Sequence, residues 1–164
     1  MRQALQIKGD YTNILLDMAA QRTRERGDRA YEKHLGVSLR DIRLLRLIGS
    51  TPGVIMSSLS EQTGIEKTLA SKLIASLVKR GWVKKHIGRE DARQVQLELT
   101  ESGKKLVLRA EPLGTFLERG FGLLLSDAEI KTLRKLLQKV VDAERSTRDQ
   151  FEAWLSSDAD FKQG

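Results

Sequence analysis

The feature that most constrains this chain is a change of period at Gly81. From Glu66 to Arg80 the apolar residues Leu69, Leu73, Ile74, Leu77 and Val78 recur at helical spacing and share one face. Beyond Gly81 the period drops to two. Trp82-Val83-Lys84-Lys85-His86-Ile87 reads as a strand, and Val95-Gln96-Leu97-Glu98-Leu99 alternates apolar and polar side chains as its antiparallel partner would. Gly88-Arg89-Glu90-Asp91-Ala92 is the charged hairpin tip between them. The glycine at the junction supplies the left-handed residue that commonly ends a helix.

A second short helix precedes the first. Ser58-Leu59-Ser60-Glu61 has the spacing of a capping box, and Gly64 breaks the helix it opens. Two helices joined by a glycine-containing turn make a helix-turn-helix. Its second helix carries Lys67, Thr68, Ser71 and Lys72 on an outward face, while Leu69 and Leu73 anchor it inward. Lysines neutralise phosphates and donate to guanine acceptors, and small hydroxyls approach base edges closely, so this face suits a DNA major groove. Ser57, just ahead of the first helix of the pair, is placed with this DNA-facing set. Residues 66–93 hold eight lysines and arginines against three carboxylates, so positive charge gathers where the hairpin follows the helix. Arg89 at the tip is suited to a minor groove, where narrow A·T tracts focus negative potential. Asp91, two residues from Arg93, reads as the partner that fixes the arginine's rotamer.

The flanks are helical. Asp10 caps a first helix running to about Lys33, with Tyr11, Ile14, Leu15 and Met18 apolar and a polar second half. Ser38, with Asp41 three residues on, opens a second helix whose apolar face is Leu39, Ile42, Leu45 and Ile48. Val54-Ile55-Met56 is a short extended run. Thr100 caps a helix carrying Leu106, Val107, Ala110, Leu113, Phe116 and Leu117, with Pro112 as a kink point. Ser126-Asp127-Ala128-Glu129 is another capping box, opening a long helix that continues through Phe151 and Trp154. Apolar positions in these terminal helices lie outside the compact lobe, and a monomer would expose them as a patch.

Composition removes several classes of function. The net charge of +7 favours polyanionic partners. There is no cysteine, which excludes disulfides, thiol catalysis, thiolate metal sites and thiol redox sensing. The only histidines, His34 and His86, have no ligand spacing around them, so no metal and no cofactor is expected. There is no P-loop, dinucleotide-binding turn or Ser/His/Asp arrangement, so the chain does not read as an enzyme. No stretch has signal-peptide character or the roughly 18 apolar residues of a membrane span. The expected compartment is the cytoplasm, with no membrane partner.

The segment GIEKTLASKLIASLVKRGWVKK, followed by EDARQVQLELTESG, resembles the multiple-antibiotic-resistance regulator (MarR) family. The resemblance rests on Asp91-x-Arg93, on Leu99-Thr100 closing the second strand and on Gly103, and it extends from about Tyr11 to Trp154. It implies a mainly α fold with a small antiparallel β wing. Residues 37–100 would form a winged helix-turn-helix, 1–36 and 101–157 a helical dimerisation region, and 158–164 a frayed tail. It further implies a homodimer on pseudo-palindromic double-stranded operator DNA, commonly a repressor released by a small effector, often an aromatic acid. By motif position, Lys67, Thr68, Ser71 and Lys72 would be recognition-helix contacts, and Arg89 and Arg93 wing contacts. The tip GREDAR carries fewer arginines than many relatives. The family's ligand pocket lies near the first, second and fifth helices, which singles out Tyr11, Arg22, Arg40, Arg43 and Arg46, with Met18 and Ile42 as apolar lining. Two other readings remain at this point: an architectural DNA-binding protein without site preference, and a winged-helix module that binds protein.

Overall fold

The computed structural model describes residues 11–87 and 94–156. They fall into two compact units divided after Thr115. Asp10, the hairpin-tip residues Arg89, Asp91 and Arg93, and the tail 158–164 lie outside the described residues.

The first unit is built around α2 (Leu39–Ser50). Ser38 Oγ accepts from the Asp41 N–H at 3.0 Å and the Asp41 carboxylate accepts from the Ser38 N–H at 3.4 Å, so the expected capping box is formed. Ile42, Leu44, Leu45 and Ile48 of α2 are wholly buried. Around them pack Tyr31 of α1 (Thr12–Leu35), Leu59 of α3 (Met56–Thr63), Ala70, Ile74 and Leu77 of α4 (Lys67–Lys79), and Leu106 and Ala110 of α5 (Glu101–Arg119). Each buried leucine or isoleucine contributes about 1.5–3 kcal/mol of transfer free energy, so this cluster is what holds the helices together.

The sheet has three strands, in the order β1-β3-β2, all antiparallel. β2 (Val83–Ile87) and β3 (Val95–Leu99) are the expected pair, in register Val83↔Leu99 and Lys85↔Leu97. The extended run at 54–56 becomes a strand, β1 (Val54–Ile55), which pairs Val54 with Leu97 and Ile55 with Gln96. Gly53, at φ 81°, donates its N–H to the Leu97 carbonyl and leads the chain into this pairing.

Three local expectations differ from the structure. α3 starts at Met56, directly out of β1, so Ser58 lies inside its first turn; its hydroxyl accepts from Gln62 Nε2 instead of capping. α1 starts at Thr12, after Tyr11, with no side-chain cap. On α4 the buried face is Ala70, Ile74 and Leu77, whereas Leu69 is 39% exposed and Leu73 half-buried. Ala70, Ile74 and Leu77 lie three and four residues apart and so share one face of α4, and that face is the one the core takes up. α5 runs through Pro112, as a single helix.

In the second unit a 3₁₀ turn (Gly120–Leu123) leads to α6 (Asp127–Ser156). Ser126 and Glu129 form the expected capping box: the carboxylate accepts from the Ser126 N–H at 2.8 Å, and Ser126 Oγ accepts from the Glu129 N–H at 3.4 Å. Leu133, Leu136, Leu137, Val140 and Val141 recur at helical spacing on α6 and are all exposed. Among the described residues no helix is long and apolar enough to cross a membrane.

Candidate nucleic-acid interface

The turn between α3 and α4 is fixed by its own hydroxyls. Gly64 takes the left-handed conformation at φ 66°. Ser60 Oγ donates to the Ile65 carbonyl at 2.5 Å, and Thr63 Oγ1 donates to the Leu59 carbonyl at 2.7 Å while accepting from the Ile65 N–H. Glu66 then caps α4, accepting from the N–H groups of Thr68 at 2.8 Å and Leu69 at 3.0 Å. Those two bonds, the Thr68 one first, hold its carboxyl below the usual glutamate range. Lys67, Thr68, Ser71 and Lys72 are all exposed and occupy one side of the helix, as residues i, i+1, i+4 and i+5 must. Ser57 is exposed on the first turn of α3.

The far end of α4 closes in a Schellman motif. The Trp82 N–H bonds to the Leu77 carbonyl at 3.0 Å and the Gly81 N–H to the Val78 carbonyl at 2.9 Å, with Gly81 at φ 74°. The start of α5 grips this exit. Thr100 Oγ1 and Ser102 Oγ donate to the Gly81 carbonyl at 2.6 and 2.7 Å, and the Thr100 N–H donates to the Trp82 carbonyl at 3.0 Å. Thr100 Oγ1 also accepts from the Gly103 N–H at 3.1 Å, capping α5. Gly103 lies directly on the Trp82 backbone, where a Cβ would meet the carbonyl carbon at 3.0 Å and its oxygen closer still. The Thr100 and Gly103 positions of the sequence pattern thus clamp the returning wing strand to the end of the helix-turn-helix.

On the wing, Glu98 of β3 faces Lys84 at 3.1 Å and His86 at 3.4 Å across the strand pair. The Lys84 hydrogen bond is the main cause that holds the Glu98 carboxyl below its ordinary range. Among the described residues, no group of three or more His, Asp or Glu side chains is placed to hold a metal ion.

An open groove of about 830 Å³ runs beside α4. Leu69 and Leu73 form part of its wall, facing Arg24 and Asp28 of α1 and Arg40 and Arg43 of α2.

Comparison with known proteins places this geometry. Residues 35–94 match the model of the MarR family. A protein of Thauera aromatica named for transcriptional regulation of the hcr operon is 26% identical over 104 residues, which are 63% of this chain and 63% of that protein. The chain therefore spans a little under two thirds of that relative's length. The transcriptional regulator HosA of Escherichia coli O111:H- is 27% identical over 100 residues, covering 61% of this chain and 74% of HosA. A solved structure of mutant MarR from E. coli complexed with operator DNA superposes with a TM-score of 0.67 at 22% identity, covering 80% of this chain and 99% of that one. At that identity the superposition establishes the fold.

The MarR-family match begins at the end of α1 and takes in α2, the helix-turn-helix and the wing as far as Gln94. Within it the structure brings Arg40 and Arg43 together on the groove. Ile42 points the other way and is fully buried in the core. Arg46 is engaged elsewhere: Nε meets Glu111 at 2.9 Å, Nη2 reaches the Ala110 carbonyl at 3.4 Å, and the bare Cα of Gly114 makes room for it beside Tyr31. Tyr11, just before α1, and Met18 and Arg22 on its first half are exposed and do not line the groove. Sequence reasoning missed Arg24, Asp28, Leu69 and Leu73. The available signal was their spacing of four, which stacks each pair on one face of its helix.

Proposed function

We propose that this chain is a homodimeric MarR-type transcription regulator that binds pseudo-palindromic double-stranded DNA in the cytoplasm as a repressor. The observation that carries the reading is the face of Lys67, Thr68, Ser71 and Lys72, exposed on an α4 that is held at both ends. Ser57 is assigned a contact from α3, and Arg89 and Arg93 are assigned to the wing's DNA contacts, with Asp91 as the residue assigned to pair with Arg93. Two identical lobes address successive major grooves, so the half-sites lie about one helical turn, roughly 34–36 Å, apart. The helical regions 1–36 and 101–157 provide the dimer surface. The exposed stripe from Leu133 to Val141 is the kind of apolar face that a second copy covers.

A small carboxylate with an apolar body is the effector that suits the groove. Arg40 and Arg43 offer guanidinium donors to the acid, and Leu39, Leu69 and Leu73 offer an apolar wall that is part of α4 itself. A ligand seated there touches the helix that carries the DNA-facing residues.

Selection from a random duplex library tests the first part. A palindromic site should emerge and should outcompete bulk DNA, with affinity falling steeply as salt rises. Equal affinity for random duplexes would replace the operator reading with an architectural one. Absence of any DNA binding would favour the protein-interaction module.

A further inference from the structure

Arg80 is one of the eight basic residues in 66–93, but its surroundings differ from those of the other cations on α4. Lys67, Lys72 and Lys79 make no ion pair among the described residues, and each is exposed. The Arg80 guanidinium instead has three partners. Nη2 donates to the Gly36 carbonyl at 3.0 Å, Nη1 faces Asp41 Oδ2 at 3.4 Å, and Cζ stands 3.8 Å from the centre of the Trp82 ring. Gly36 is the left-handed residue that ends α1, and Asp41 belongs to the capping box that opens α2. Arg80 therefore spans 44 residues of sequence to join the end of α4 to the α1–α2 corner.

We propose that Arg80 is a positioning residue and not a phosphate contact: it fixes the C-terminal end of α4 on the α1–α2 corner and so sets the angle at which Lys67, Thr68, Ser71 and Lys72 are presented. The inference rests on reading α4 as the recognition helix. The start of α4 is already held by the Ser60–Ile65 turn. A helix of 13 residues is about 20 Å long. A pivot of about 5° at one end therefore displaces the other by nearly 2 Å, whereas hydrogen bonds to base edges tolerate only a few tenths of an ångström. The chemistry favours arginine. A planar fork reaches a carbonyl and a carboxylate at once while stacking on an indole, which a lysine ammonium cannot do.

The test measures binding of the full chain to its library-selected duplex and to random duplex, by fluorescence anisotropy over a range of salt, for wild type and for Arg80→Ala, Arg80→Lys, Asp41→Asn, Ser38→Ala and Lys72→Ala. A positioning role predicts that Arg80→Ala loses about tenfold on the selected site and less than twofold on random DNA, with the salt slope unchanged. Arg80→Lys should fail almost as badly although it keeps the charge, and Asp41→Asn should reproduce part of the loss. Ser38→Ala removes the hydroxyl half of the same capping box but keeps the Asp41 carboxylate and the backbone N–H that holds it, and should stay near wild type. Lys72→Ala should lower the salt slope by about 0.9, the signature of one lost phosphate contact. Recovery of wild-type affinity by Arg80→Lys, or a slope lowered by about 0.9 in Arg80→Ala, would overturn the inference. If Arg80→Ala does not fold, Arg80→Lys and Asp41→Asn carry the same comparison. If wild type selects no site, the reading of α4 fails by itself. Amide exchange at Leu77–Trp82 then decides the clamp: faster exchange in both Arg80 variants supports it, and unchanged exchange refutes it.

Discussion

Gly103→Ala is the sharpest test of how the wing is attached. In an ordinary helix this substitution is favourable by up to about 1 kcal/mol, because alanine has less backbone freedom to lose. Here the sign should reverse. The new Cβ would be driven into the Trp82 carbonyl, a backbone group that cannot swing aside like a side chain. Overpacking of this kind costs about 1–3 kcal/mol. Relieving it means separating α5 from the α4 exit, which stretches the Thr100 N–H bond to the same carbonyl and the Thr100 and Ser102 hydroxyl bonds to Gly81. One such bond is worth about 1 kcal/mol, so the total is about 2–4 kcal/mol. For a chain of this size that is a fall in Tm of about 10 °C. Calorimetry or a urea titration would measure it. Gly122→Ala is the matched control, since a Cβ there meets nothing within 4 Å, and it should change stability by no more than about 0.5 kcal/mol. A Gly103→Ala protein as stable as wild type would refute the clamp.

Other outcomes follow from features already described. Glu66→Gln should lower stability at neutral pH. Because the native environment depresses the Glu66 pKa, its contribution is present above the usual glutamate range and is lost as pH falls through the depressed native value. The gap between variant and wild type in urea titrations should therefore close on acidification, and a gap that widened would contradict the cap. Leu136→Glu puts a charge in the exposed stripe of α6 and should shift the protein from dimer to monomer in sedimentation; a dimer of unchanged strength would remove α6 from the interface. Arg43→Ala should blunt the release of DNA by aromatic carboxylates while leaving DNA affinity without ligand close to wild type. Arg46→Ala should cost only about 1 kcal/mol, because its pair with Glu111 is partly exposed, and should leave any ligand response intact.

The helix-turn-helix and wing were legible because their signals are local. Gly64 and Gly81 mark conformations that few other residues adopt, and the change of period around Gly81 separates helix from strand without knowledge of anything distant. The two capping boxes that formed, at Ser38 and Ser126, use residues only three apart. What was not legible depends on partners far along the chain. β1 is two residues long, too short for any period, and exists because β3 comes back to pair with it. The Ser58 box failed for the same reason, since the chain passes from that strand straight into α3. The ligand candidates scattered because Arg40, Arg43 and Arg46 step around α2. Two of them meet the groove and the third meets α5, a division that the packing decides and the spacing alone does not. Ile42 looked like lining, yet the core around it takes it up completely.

The strand order has a consequence for solubility. Among the described residues, with β3 in the middle, the sheet presents two outer edges, β1 and β2. β1 is too short to template another strand, but β2 is five residues long and is a strand of the wing itself. An unpaired edge of that length invites strand addition from a neighbouring molecule. Lys84, Lys85 and His86 occupy its middle, and all three are exposed. An incoming β2 from another copy would have to bring its own basic residues against them. The same charges that enrich the wing in positive potential thus discourage the lobes from polymerising edge to edge, so neutralising Lys84 and Lys85 together should show first as concentration-dependent aggregation.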